Sequence, residues 1–196
     1  NDTSNDEKID YLNILLSLSS KTNHLLDDLL LWARIQMNTI DITLEDIYLR
    51  TIIRTSIEIV QEKADEKNIE IISEVDDLKF KSNESSVKTV IRNLLSNAIK
   101  FSHNNSKVLV KSKVSKSKDK VIISVEDKGV GIPKEDISKL FKIETSFTTY
   151  GTNSERGTGL GLILCKELIE KINGSIWVES VEDVGSTFYI SLPLQN

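Results

Sequence analysis

Between residues 6 and 37 the chain repeats every seven residues. Tyr11, Leu15, Leu18, Thr22, Leu25, Leu29, Trp32 and Gln36 follow one another at alternating spacings of four and three, the pattern of helices wound about each other. Leu12, Leu26, Leu30 and Ala33 widen the stripe beyond a two-helix seam, which suits a bundle. One helix of this length cannot bury such a face alone. No other segment repeats the pattern, so its partners are expected from sequence outside this chain or from a second copy. The feature also divides the chain. Residues 1–40 read as a bundle helix and its link, and residues 41–196 as a separate domain.

Past residue 40 the periods change. "IDITLED" (40–46) reads as an extended link, and residues 45–67 as a second helix with Leu49, Ile53, Ser56, Val60 and Ala64 on one face. "IEIIS" (69–73) reads as a strand. Residues 84–101 read as a third helix, capped by Ser82 or Asn83. "KVLVKSKV" and "KVIISVED" are strands joined by the lysine-rich turn "SKSKD". Pro133 opens a short helix to Phe141, residues 142–156 form a loop, and residues 158–173 form a helix ending at Gly174. "SIWVES" and "STFYISLP" are strands around "VEDVG". This alternation predicts an α+β fold, a mixed sheet covered on one face by helices.

Composition narrows the function classes. With 39% hydrophobic and 28% charged residues the chain can build an ordinary core. A net charge of −5 argues against nucleic acid as a partner. A single cysteine, Cys165, excludes a disulfide framework and a cysteine-based zinc site, and its apolar surroundings make it a core residue. No apolar run approaches the ~18 residues of a membrane span, so no direct membrane contact is expected. The start "NDTSNDEKID" is polar, unlike a signal peptide, and lacks an initiator Met, as a fragment of a longer protein would.

Three short segments carry chemistry. In "NLLSNAIKF" (93–101), Asn93, Asn97 and Lys100 share one helical face. Asn disfavours helix, and amide oxygens beside a lysine suit Mg²⁺ and phosphate; two solvated amides would account for the segment equally well. In "DKGVG" (127–131), Gly129 and Gly131 permit a sharp turn and a close approach to a planar ligand, and Asp127 can accept a hydrogen bond from an amino group. Alone, that segment is an ordinary turn. "GTGLG" (157–161) opens a helix and leaves backbone N–H groups bare at its positive end. It is not a P-loop, which needs Gly-Lys-Ser/Thr where this chain has Leu160-Gly161-Leu162. A dinucleotide fingerprint needs a preceding strand, and here a polar loop precedes.

In this order the three segments resemble the ATP-binding domain of sensor histidine kinases, in the superfamily that includes gyrase-type and heat-shock chaperone ATPases. "NLLSNAIKF" is similar to the N box, "DKGVG" and "GTGLG" to the two glycine motifs, and "GSTFYISLP" (185–193) to the closing strand. The resemblance covers roughly residues 45–194 and implies a Bergerat-type sandwich, a mixed sheet and three helices, with ATP held between helix and lid. It implies that Asp127 accepts from the adenine amino group, that Gly129 and Gly131, with Ile132 beside them, make room for the ring, and that Thr187 shares the contact through water. It implies that Asn97 is a Mg²⁺ ligand, that Asn93 and Lys100 reach phosphates and that Phe101 flanks the base. Gly157, Thr158, Gly159, Leu160 and Gly161 would hold phosphates. Phe141 matches the family's lid anchor; Phe147 lies six residues on rather than the usual three.

Residues 6–37 resemble the second helix of the dimerisation and phosphotransfer domain. The acceptor histidine of that family is followed by an acid. His24 precedes Leu25-Leu26, and His103 precedes Asn104-Asn105. Neither matches, and both read as solvated. The implied function is transfer of the ATP γ-phosphoryl group, with Mg²⁺, to a histidine absent from this chain and onward to a response regulator receiver domain. The implied assembly is a homodimer through the helix bundle, cytoplasmic, in a parent anchored in the cell's inner membrane. Two alternatives stand: a non-kinase ATPase of the same superfamily, which would carry Glu where Asn93 stands to activate water, and a dimeric scaffold that only binds nucleotide. Stimulus and cognate regulator are not written in the sequence.

Overall fold

The computed structural model describes residues 5–37, 39, 42–142, 151–153 and 159–194; Phe147, Gly157, Thr158 and the side chain of His24 lie outside them. The chain divides into two compact units, residues 1–40 and 41–196. The first is α1 (Asn5–Gln36), a single helix. Most of its described apolar side chains stand open, among them Tyr11, Leu15, Leu18, Leu25 and Leu29 on the stripe and Leu12, Leu26 and Leu30 beside it, whereas Leu31, Trp32 and Ala33 are half-buried and Ile35 is buried.

The second unit runs β1 (Glu45–Tyr48), α2 (Leu49–Glu66), β2 (Glu70–Glu74), β3 (Lys79–Ser82), α3 (Glu84–Phe101), β4 (Lys107–Val114), β5 (Lys120–Glu126), α4 (Lys134–Ile137), α5 (Gly161–Lys171), β6 (Ser175–Val181) and β7 (Gly185–Pro193). Five strands form a sheet in the order β2-β4-β5-β7-β6. β2 and β4 are parallel and the other neighbours antiparallel, so the sheet is mixed as expected. Alternation sets its two faces. Val110, Val125 and Phe188 lie in one cross-strand row, and Val121 lies opposite Leu192; all five are buried. Against this face pack α2 through Ile52, Ile53 and Val60, α3 through Val87, Ile91, Leu94 and Leu95, and α5 through Ile163, Leu164 and Leu168, all buried. Each fully buried side chain of this kind stabilises by roughly 1.5–3 kcal/mol, which is why three amphipathic helices hold one face of the sheet. The other face bears Thr187, Tyr189, Trp177 and Glu179, with the Trp177 and Tyr189 rings stacked 5.1 Å apart.

Several boundaries differ from expectation. The second helix starts at Leu49, because residues 45–48 pair antiparallel with β3 and bury Ile47 against Phe80. This two-stranded ribbon, absent from the sequence reading, fixes the approach to α3. Asn83, not Ser82, caps α3, its Oδ1 accepting from the Ser86 N–H at 2.9 Å. α4 is one turn, ending at Ile137. α5 ends at Lys171, and Asn173 rather than Gly174 takes the left-handed conformation, with φ 58°. Gly174 answers a different need: a Cβ there would lie 2.5 Å from the Ser191 carbonyl oxygen. Among the described residues, no helix is long and apolar enough to cross a membrane.

Candidate functional site

α3 carries four of the anticipated residues on its last turns. The Asn97 Nδ2 donates to the Asn93 Oδ1 at 3.1 Å, the spacing of four having placed both amides on one face. Both are half-buried. The Lys100 ammonium stands 4.6 Å from the centre of the Phe101 ring. Gly161, the first residue of α5, presses on the same face, where a Cβ would lie 2.5 Å from Asn93 Nδ2. The second glycine segment and the Asn pair therefore meet. No side chain caps α5 at Leu160, and Gly159, at φ 76°, takes the left-handed turn that leads into it. Gly159, Leu160 and Gly161 stand at a helix start next to two amides, an arrangement suited to an anion.

The first glycine segment meets the C-terminal end of the same helix, about one turn beyond Asn97. Ser102 and Gly129 form an antiparallel bridge, and the Val130 N–H donates to the Phe101 carbonyl at 3.3 Å. A Cβ on Gly129 would lie 2.6 Å from the Phe101 carbonyl carbon, and one on Gly131, whose φ is 66°, would run into the backbone of Val181. Asp127 sits between these contacts at 3% exposure. Its Oδ1 accepts from the Gly129 N–H at 3.0 Å and the Ser186 N–H at 3.3 Å, which leaves Oδ2 for an incoming donor. Burial pushes the carboxyl up to about 6, against the pull of those two N–H groups. Ile132 joins the cluster through its N–H, which donates to the Ser180 hydroxyl at 2.9 Å.

At β7 the direct contacts of Asp127 are with Ser186, which is buried, whose carbonyl accepts from the Asp127 N–H at 2.9 Å and whose N–H reaches the carboxylate. Thr187 lies opposite Glu126 and Glu179, on the other face of the sheet. The signal was present in the sequence, because Ser186 shares its parity with the core residues Phe188, Ile190 and Leu192. Phe141 is half-buried beyond α4, His103 is exposed after α3, and Cys165 is buried in α5. Among the described residues, no group of three or more His, Cys, Asp or Glu gathers as a metal cluster. A larger groove between α2 and α3, lined by Thr55, Lys88 and Arg92, contains none of the anticipated residues.

The chain is similar to known proteins in sequence and in fold. The model of the family described as histidine kinase-, DNA gyrase B-, and HSP90-like ATPase matches residues 82–196. The adaptive-response sensory kinase SasA of Rippkaea orientalis is 32% identical over 174 residues, 88% of this chain and 44% of that protein. The catalytic domain of histidine kinase ThkA is 32% identical with a TM-score of 0.67, covering 79% of this chain and 99% of that domain. ThkA solved in complex with response regulator protein TrrA is 26% identical with a TM-score of 0.75, covering all of this chain and 53% of that one. The chain belongs to the histidine kinase-, DNA gyrase B- and HSP90-like ATPase family, as a catalytic domain of the sensor histidine kinase kind. It spans less than half the length of the SasA relative.

Proposed function

We propose that residues 41–196 bind ATP with Mg²⁺ and donate its γ-phosphoryl group to a histidine outside this chain, while residues 1–40 supply one helix of a dimeric bundle. The observation that carries the reading is Asp127, a buried carboxylate held by two backbone N–H groups with one oxygen left over, beside Gly129 and Gly131, which pack on the backbones of Phe101 and Val181. Such a group fits the amino edge of a purine. Asn93, Asn97 and Gly161 gather amide donors and oxygens one to two turns back along α3 from Phe101, where a triphosphate would lie. Mg²⁺ takes few protein ligands and completes its shell from phosphate and water, so one amide oxygen, that of Asn97, meets its need. Bound nucleotide supplies the phosphoryl group and the metal its charge neutralisation; the chain orients the base, excludes water beneath it and offers amides to the phosphates. Asn93 has no proton-accepting base, which disfavours attack by water.

The open stripe of α1 would be covered by a second helix and a second copy of this chain. The complex of ThkA with TrrA supports a receiver domain as the next acceptor, and the parent would act in the cytoplasm from a membrane anchor. Calorimetric titration with ATP, with and without Mg²⁺, tests the core of the proposal. We expect binding that Mg²⁺ tightens, the tightening lost in Asn97→Ala, and negligible phosphate release. Rapid Mg²⁺-dependent hydrolysis by the pure chain would instead establish an ATPase.

A further inference from the structure

Lys67 follows α2 and is a lysine that water barely reaches, at 3% exposure. Burying an ammonium is costly unless its donors are met, and it has three. Here they reach the Ile99 carbonyl at 3.1 Å, the Lys100 carbonyl at 2.9 Å and the Thr152 hydroxyl at 2.7 Å. The two carbonyls belong to the last turn of α3, where the helix dipole is negative and the carbonyls lack helical partners. The third acceptor belongs to a different segment, residues 151–153. Thr152 ties that segment to α3 twice more: its N–H donates to the Lys100 carbonyl at 3.1 Å, and its hydroxyl donates to the Ser102 carbonyl at 2.7 Å. The Lys67 carbonyl in turn accepts from the Asn105 N–H at 2.9 Å.

One ammonium thus joins the corner after α2, the end of α3 and the segment at Thr152. A cap for α3 would need the first two contacts and no more. The third couples the helix end to residues 151–153, and the helix end bears Lys100 and Phe101. We infer that Lys67 is a positioning residue for nucleotide: it holds Lys100, Phe101 and residues 151–153 in one arrangement without itself touching the ligand. The inference rests on the nucleotide-site reading above.

The test is a double-mutant cycle on the full chain, reading ATP affinity by calorimetry and the melting temperature alongside. Binding by the unaltered chain comes first; if that chain does not bind ATP, the site reading has failed rather than this one. Given binding, Lys67→Met is expected to weaken ATP about 10-fold, the scale of one lost charged hydrogen bond. Thr152→Val keeps the side-chain shape and the cap on α3, and is expected to weaken ATP about 3-fold or more with little change in melting temperature. The double variant is expected to bind no worse than Lys67→Met alone, because one linkage is lost only once. If Thr152→Val binds as tightly as the unaltered chain, or the two losses simply multiply, Lys67 is a helix cap only and the inference is wrong. Should Lys67→Met fail to fold, Lys67→Arg takes its place in the cycle, because Thr152→Val alone also removes the hydroxyl's bond to the Ser102 carbonyl; additive losses with Lys67→Arg would equally overturn the inference.

Discussion

The two glycine segments meet α3 at different places and through different kinds of atom. Gly129 lies against the backbone of Phe101, whereas Gly161 lies against the side-chain amide of Asn93. Backbone at a helix end cannot move aside, but an amide at the tip of a side chain can rotate. The Gly129 contact is therefore fixed by the path of the chain and the Gly161 contact is adjustable; on the proposed reading these are the base end and the phosphate end of the nucleotide site. A fixed end suits a rigid purine, and an adjustable end suits a triphosphate whose shape changes as it reacts.

The largest effect should come from setting these two glycines against each other. Gly129→Ala forces α3 and the turn apart, and we expect a loss of stability of about 3 kcal/mol or more together with loss of nucleotide binding. Gly161→Ala should cost about 1 kcal/mol or less, since Asn93 can turn away, while still weakening the phosphate end. Chemical denaturation of both variants checks this. Equal destabilisation by the two would break the comparison.

Next in size is Asp127→Asn, expected to weaken ATP and ADP alike by about 10- to 100-fold, because the lost contact is to the base. Stability should move the other way. A carboxyl raised from 3.8 to about 6 by folding binds its proton more tightly in the folded state. Its contribution is therefore fully favourable below pH 4 and is lost as pH rises through 6, a penalty of about 3 kcal/mol at pH 8. The Asn variant should gain on the unaltered chain as pH rises from about 4 to about 7 and hold that gain above it, and the difference between their denaturation midpoints is the measurement. For the unaltered chain, nucleotide affinity should fall as pH drops through about 6 and the carboxylate is neutralised.

The smallest effect sharpens the assignment at β7. Thr187→Val should change ATP affinity less than about twofold, because that hydroxyl lies on the far face of the sheet, whereas Ser186→Val crowds Asp127 and should weaken binding severalfold. A large loss at Thr187 with none at Ser186 would assign the shared contact to Thr187 instead.

Much of this was legible in sequence because it depends on local periods. The Asn pair shares a face of α3 by helical spacing, and β4, β5 and β7 announce themselves by alternation with β-branched residues. The ribbon of β1 and β3 was not legible, since each strand has four residues and their pairing spans a whole helix. Nor were the contacts of Gly129 with Phe101 and of Gly161 with Asn93, which exist only once α3 is in place. Lys67, in a run as polar as "EKADEKNIE", reads as one more solvated lysine; its burial is decided by the carbonyls that α3 brings to it.

The stacked rings of Trp177 and Tyr189 give the molecule an optical consequence. The chain has two tryptophans, and Trp32 lies in the other unit. Replacing Trp32 with phenylalanine would leave one indole, on the strand that also presents Ser180 and Val181 to the turn at Gly131 and Ile132. With a tyrosine ring 5.1 Å away as antenna, its emission becomes a label-free gauge of the β6–β7 hairpin beside that turn, readable in real time.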